Sequence, residues 1–180
     1  MNTEHWIALG AIVPALIALV VSSASAARAR VKTIEDAYIA RYWQILDRFP
    51  ADALIGEEGP QGNAEETPAE RAEREELRKS VLLYLRLCED ELELRKLGWV
   101  GGKTWEEWSP GIQAQLNQWP VAEEWAPIRD GHRAPSQFTL LRNLDNNTQP
   151  DPFQPHSLSD RLMGRWRGCT TKKPTRPVGQ

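Results

Sequence analysis

Side chains able to do chemistry are sparse and scattered along this chain of 180 residues. Its histidines, His5, His132 and His156, have no second His or Cys at a ligand spacing. No C-x-x-C, H-E-x-x-H or EF-hand loop is present, so the common metal frameworks are missing. Glu89 and Glu93 share one helix face, and paired carboxylates can bind a metal or exchange a proton. Such a pair needs helpers, such as the histidine of a Glu-x-x-His bundle site, and none is nearby. The expectation is a solvated helix face. Gly98, Gly101 and Gly102 come close to a phosphate-binding loop but lack its lysine and hydroxyl residue. Gly-x-Ser-x-Gly is absent, so there is no nucleophile elbow. These patterns predict no catalytic residue, no metal ligand and no cofactor.

Tryptophan is the remaining constellation. Trp99, Trp105, Trp108, Trp119 and Trp125 fall close together. Aromatic rings can cage a cation or line a small-molecule pocket. They also let short helices build a core, and that is the expected role of most of them. Trp99, Trp105 and Trp108 are the candidates for a ligand or partner surface, with Trp99 least constrained because it sits in a turn. A pocket there would draw on Glu106, Glu107, Glu123 or Glu124.

The element that must position all of this is Trp6–Ala27, WIALGAIVPALIALVVSSASAA, which has no ionisable side chain. A bilayer core of about 30 Å needs about 20 apolar helical residues, and this run has that length. Pro14 is tolerable there because membrane helices can re-satisfy the carbonyl that a proline leaves unbonded. Trp6 stands at the boundary, where amphipathic rings favour the headgroup layer. Arg28, Arg30 and Lys32 follow at once and no Lys or Arg precedes, so the positive-inside rule predicts N-terminus out and C-terminal domain cytoplasmic. The rival is a signal peptide cleaved at Ala24-Ser25-Ala26, which would give a processed periplasmic or secreted protein.

Beyond the membrane segment, Ile34, Ala37, Tyr38, Tyr42, Ile45, Leu46 and Phe49 predict one amphipathic juxtamembrane helix over 28–49, continuous with the span. Residues 50–67 read as an acidic, glycine-rich linker. Thr67-Pro68-Ala69-Glu70 is a capping box opening a long helix that Gly98 ends. Leu77, Val81, Tyr84, Leu85, Cys88 and Leu92 form its stripe, and Cys88 reads as a small buried apolar residue. Thr104-Trp105-Glu106-Glu107 reads as a second capping box. Pro110 and Pro120 each open a short helix, the last ending by Pro127. After residue 130 the dispersed prolines predict mostly disorder. The exception is the capping box Ser157-Leu158-Ser159-Asp160, which opens a basic amphipathic segment over 158–167. There Leu162, Met163 and Trp166 are set opposite Arg161, Arg165 and Arg167. Arg28, Arg30, Lys32, Arg161, Arg165 and Trp166 are the candidates for membrane-surface contact.

The fold class predicted is all-α: a single N-terminal transmembrane helix running into a small helical bundle over 68–130, with a largely disordered tail over 131–180. The formal net charge of −3 gives no bulk reason to expect nucleic acid. Two cysteines, Cys88 and Cys169, suit a reducing compartment. From Trp6 to Trp125, through YLRLCEDELELRKLGWVGGKTWEEWSPGIQAQL, the chain resembles a loose set of uncharacterised bacterial membrane proteins. These have one N-terminal membrane helix and a small helical domain, and the resemblance implies an inner-membrane location and no activity. The partners expected are the lipid bilayer and other proteins, membrane proteins among them.

Overall fold

The computed structural model describes residues 3–57, 59, 67–155 and 157–169, with side chains from Ile12 and then from Pro14 onward. Residues 58 and 60–66 of the expected linker and 170–180 of the expected tail therefore lie outside the described residues, as does the side chain of Trp6. All regular structure among the described residues is helical. The helices are α1 (Thr3–Leu46), α2 (Ala51–Leu54), α3 (Pro68–Lys96), α4 (Gly102–Gln115), α5 (Val121–Arg129), α6 (Thr139–Asp145) and α7 (Leu158–Arg167).

Helix α1 runs unbroken for 44 residues through Pro14. Its character changes along its length. Ile12, Leu16, Ile17, Leu19, Val20 and Val21 are exposed, whereas Val31, Ile45, Leu46 and, just beyond, Phe49 are buried. Apolar side chains left outside the protein core at one end of a helix built into that core at the other are what a membrane span continuing into a domain requires. Among the described residues one helix, near the N-terminus, is long and apolar enough to cross a membrane.

Helix α3 is the central post. The Thr67 hydroxyl accepts from the Glu70 amide, and the Glu70 carboxylate accepts from the Thr67 amide at 2.7 Å, closing the expected capping box. Gly98, at φ +71°, ends the helix: its amide donates to the Arg95 carbonyl, while the Trp99 amide donates to that of Leu94. This pair of bonds satisfies carbonyls the helix end would leave open. Between the caps, Val81, Tyr84, Leu85, Leu87, Cys88 and Leu92 are buried. Each fully buried apolar side chain of this size contributes about 1.5–3 kcal/mol relative to exposure. Against α3 pack α1, α5 and α6.

Three local expectations are corrected. Helix α4 is one helix from Gly102, with Pro110 inside it and Thr104 within its first turn rather than capping it. Helix α5 likewise passes through Pro127 to Arg129. Interior proline removes one hydrogen bond and crowds the carbonyl four residues back. Those carbonyls belong to Glu106 and Glu123, both exposed residues, where solvent can reach them. Packing of Ile112 and Leu116, and of Trp125 and Ile128, holds the two helices together across the prolines.

The largest difference lies after residue 130. The expected boundary there between domain and tail is wrong for the described residues, because Phe138, Leu140, Leu141 and Leu144 belong to the main core and Phe153 is also buried. Helix α6 begins at Phe138, which has φ +56° and offers no side-chain cap. Its open amides are satisfied from α3 instead: the Glu89 carboxylate accepts from Leu140 at 3.2 Å and from Leu141 at 2.8 Å. Glu89 is thus a cross-helix cap, contrary to the solvated face expected of it. Glu93 remains exposed beside Lys96.

Candidate functional site

Two regions combine unusual groups. The first surrounds the glycine turn between α3 and α4. Glu35 of α1, although buried, faces this turn, and its carboxylate accepts from the Gly101 amide at 2.7 Å. The start of α4 has no side-chain cap of its own. A helix N-terminus attracts negative charge, and here an internal carboxylate supplies it. The Gly102 amide donates to the Gly168 carbonyl at 3.0 Å. The turn that resembles a phosphate loop therefore spends its amides on the protein's own groups.

Arg95 lies below the turn at 1% exposure. Its Nε and Nη2 reach both oxygens of Asp151 at 2.9 and 2.6 Å, and its Nη1 donates to the Val100 carbonyl at 2.9 Å. Its guanidinium also sits 5.0 Å from the Phe153 ring centre. The Cys169 thiol donates toward the carbonyls of Gly98 and Val100. Burial pushes this thiol up from its ordinary range, and it pushes that of Cys88 well up. Both are free, buried thiols that stay protonated at neutral pH.

This polar knot seats α7 beside α1. Ser157 and Asp160 form the expected capping box. Gly164 is buried, the Arg28 Nε donates to the Trp166 carbonyl at 3.3 Å, and Arg167 stacks 4.1 Å over Trp99. Leu158, Leu162, Met163 and Trp166 remain exposed, as do Arg161 and Arg165. Both sets look outward, because the inward face is the one carrying Gly164. A Cβ on Gly164 would stand 2.7 Å from Phe153 and 3.1 Å from the Cys169 carbonyl. Gly164→Ala is thus expected to lift α7 at a cost of about 1–3 kcal/mol. Trypsin should then cut at Arg161, Arg165 and Arg167 faster than in the parent, with cleavage in α3 unchanged.

The second region is a cleft of about 250 Å³ where α1, α3 and α4 meet. Ile39, Tyr42 and Trp43 line it from α1, Tyr84 and Glu91 from α3, and Glu107, Trp108, Gly111 and Ile112 from α4. Tyr42 lies edge-on to Trp43, with centroids 5.3 Å apart, and 6.2 Å from Tyr84. Glu91 is buried, and desolvation, with the Asp90 charge beside it, raises its carboxyl to about 8. Burial likewise raises the phenols of Tyr42 and Tyr84.

The three tryptophans singled out by sequence do not converge. Trp105 is a core residue whose indole N–H donates to the Pro150 carbonyl at 3.2 Å. Trp99 lies under Arg167, and only Trp108 reaches the cleft. Of the four glutamates, Glu107 lines the cleft, Glu106 and Glu123 are exposed, and Glu124 accepts from Arg78 and Arg133. Arg28, Arg30, Lys32, Arg161, Arg165 and Trp166 are all exposed, and α7 packs against α1 with the Trp166 carbonyl accepting from Arg28. Sequence reasoning missed Glu35, Glu91 and Arg95. The signal was present for the latter two: Glu91 and Arg95 continue the stripe of Tyr84, Cys88 and Leu92, so ionisable groups fall on the buried face. Comparison with known protein families, curated proteins and solved structures finds no match.

Proposed function

We propose that this chain is a non-enzymatic, membrane-anchored helical module that binds other proteins at the cytoplasmic face of a bacterial inner membrane. The observation that carries the reading is α1, whose apolar Ile12, Leu16, Ile17, Leu19, Val20 and Val21 are exposed whereas Val31, Ile45 and Leu46 are buried. A single helix serves as span and as structural element, so the domain is held at the bilayer rather than on a free tether. The exposed basic residues Arg28, Arg30 and Lys32 support the cytoplasmic placement. Helix α7 adds a second contact: its exposed Leu162 and Trp166, with Arg161 and Arg165, suit the surface of an anionic bilayer.

Cysteine accessibility tests the orientation, because Cys88 and Cys169 are buried and give little background. Glu57→Cys should react with an impermeant maleimide only after the membrane is opened, and Thr3→Cys in intact cells. The reverse pattern overturns the orientation. Cross-linking in native membranes should capture reproducible protein neighbours, and repeated failure to find any counts against the interaction role.

A further inference from the structure

We propose that the cleft between α1, α3 and α4 binds a small alkylammonium ion. This inference is independent of the orientation of the anchor. Four aromatic side chains from three helices, Tyr42, Trp43, Tyr84 and Trp108, line the cavity. The faces of such rings carry negative potential and hold cations, quaternary ammonium groups above all. Glu91 also lines the cavity and is only 6% exposed; no side-chain hydrogen bond from a described residue holds it and no buried side-chain oxygen is left unsatisfied, so its carboxyl oxygens face the open space of the cleft. A carboxyl this far withdrawn from water has few solvent contacts to replace, and a cation seated in the cavity would supply it a partner. Glu107 adds a second carboxyl, and no Lys, Arg or His lines the cavity.

The alternatives fit less well. A neutral apolar ligand would fill the space and leave Glu91 unpaired, and an anion would meet two carboxyls. At about 250 Å³ the cavity sits just below the usual range for small-molecule sites, about 300–1,000 Å³, and is too small for a folded partner. Its α1 residues, Ile39, Tyr42 and Trp43, lie about 10–17 Å along that helix beyond Lys32, at 1.5 Å per residue. That spacing favours a free ammonium compound over the headgroup of a membrane lipid.

Proton linkage follows from the same geometry. The groups around Glu91 are Tyr38 and Tyr42 on α1, Tyr84, Cys88 and Asp90 on α3, and Glu107 on α4. Without a ligand they favour a neutral Glu91. An arriving cation favours the carboxylate, so binding releases a proton and tightens as pH rises toward 8.

The test uses the full chain in nanodiscs of phosphatidylglycerol, which carry no ammonium headgroup. Tetramethylammonium chloride is titrated while tryptophan emission is followed, against sodium chloride at equal ionic strength. A saturable change specific to the organic cation is expected. Glu91→Gln should weaken it at least about tenfold, and Trp43→Ala, on the exposed rim, should weaken it several-fold. Both variants should keep the helical circular dichroism of the parent. No saturable change, or equal binding by Glu91→Gln, overturns the proposal. Repeating the titration in phosphatidylcholine nanodiscs separates the sources: unchanged affinity supports a free ligand, and loss of binding through competition by the headgroups overturns it.

Discussion

Replacing Arg95 with alanine is expected to destabilise the domain by up to about 3–5 kcal/mol, the cost of removing one partner from a buried ion pair, with Asp151 at 28% exposure able to recover part of it from solvent. The cost is high because Arg95 is fully buried and has several structural partners at once. Its fork holds both oxygens of Asp151, and its third bond holds the Val100 carbonyl. The Asp151 carboxylate in turn accepts from the Phe153 amide at 2.9 Å. Phe153 then packs against Gly98 and Gly164, joining the end of α3 to α7. Loss of the guanidinium therefore leaves a carboxylate without its cation and loosens the seat of α7. Hydrogen exchange should accelerate first over 150–169 and less in the middle of α3, and the urea midpoint should fall. Arg95→Lys keeps the charge but loses the planar fork, so it should recover only part of the loss. A domain whose total stability is on the order of 5–15 kcal/mol can lose a large fraction of it through this one change.

The second large effect is a dependence of stability on pH that traces to Glu91. Its folded-state carboxyl titrates at about 8, against 4.5 for an ordinary glutamate. Between those values the folded chain holds a proton that the unfolded chain has released. The stability this gives is fully present below the unfolded value and is lost as pH rises through the folded one. Over that window the predicted loss is several kcal/mol, at about 1.4 kcal/mol for each unit of separation. Denaturation of the parent from pH 5 to pH 9 should show the decline. Glu91→Gln, which cannot ionise, should flatten the curve and be the more stable protein at pH 9. A parent whose stability is level over this range would show that Glu91 is solvated or already paired.

Local chemistry made much of the fold legible. The capping boxes at Thr67 and Ser157 fix two helix starts with atoms three residues apart, and Gly98 ends α3 through a left-handed conformation that glycine adopts more easily than any other residue. The continuity of α1 is likewise written in its periodicity. The errors have a common origin in distance. Helix α6 starts without a local cap because its cap is Glu89, about fifty residues earlier. Its short apolar set, Leu140, Leu141 and Leu144, is easily lost among the surrounding prolines. Pro110 and Pro127 read locally as breaks, yet tertiary packing carries each helix across them. The cleft was least legible, since its walls come from three helices and its depth depends on how they meet. Trp108 and Glu107 on α4 and the charged residues on the buried stripe of α3 were its only signs in the sequence.

The proposed function rests on α1 crossing a membrane and continuing as part of the domain. Alkaline carbonate extraction of native membranes, followed by intact-mass measurement of the retained protein, tests that claim most directly. The whole chain should stay with the membrane pellet, with Trp6–Ala27 still attached, and a version lacking residues 3–27 should be released. Recovery of the full chain in the supernatant, or a mature protein beginning at Ala27, would contradict it.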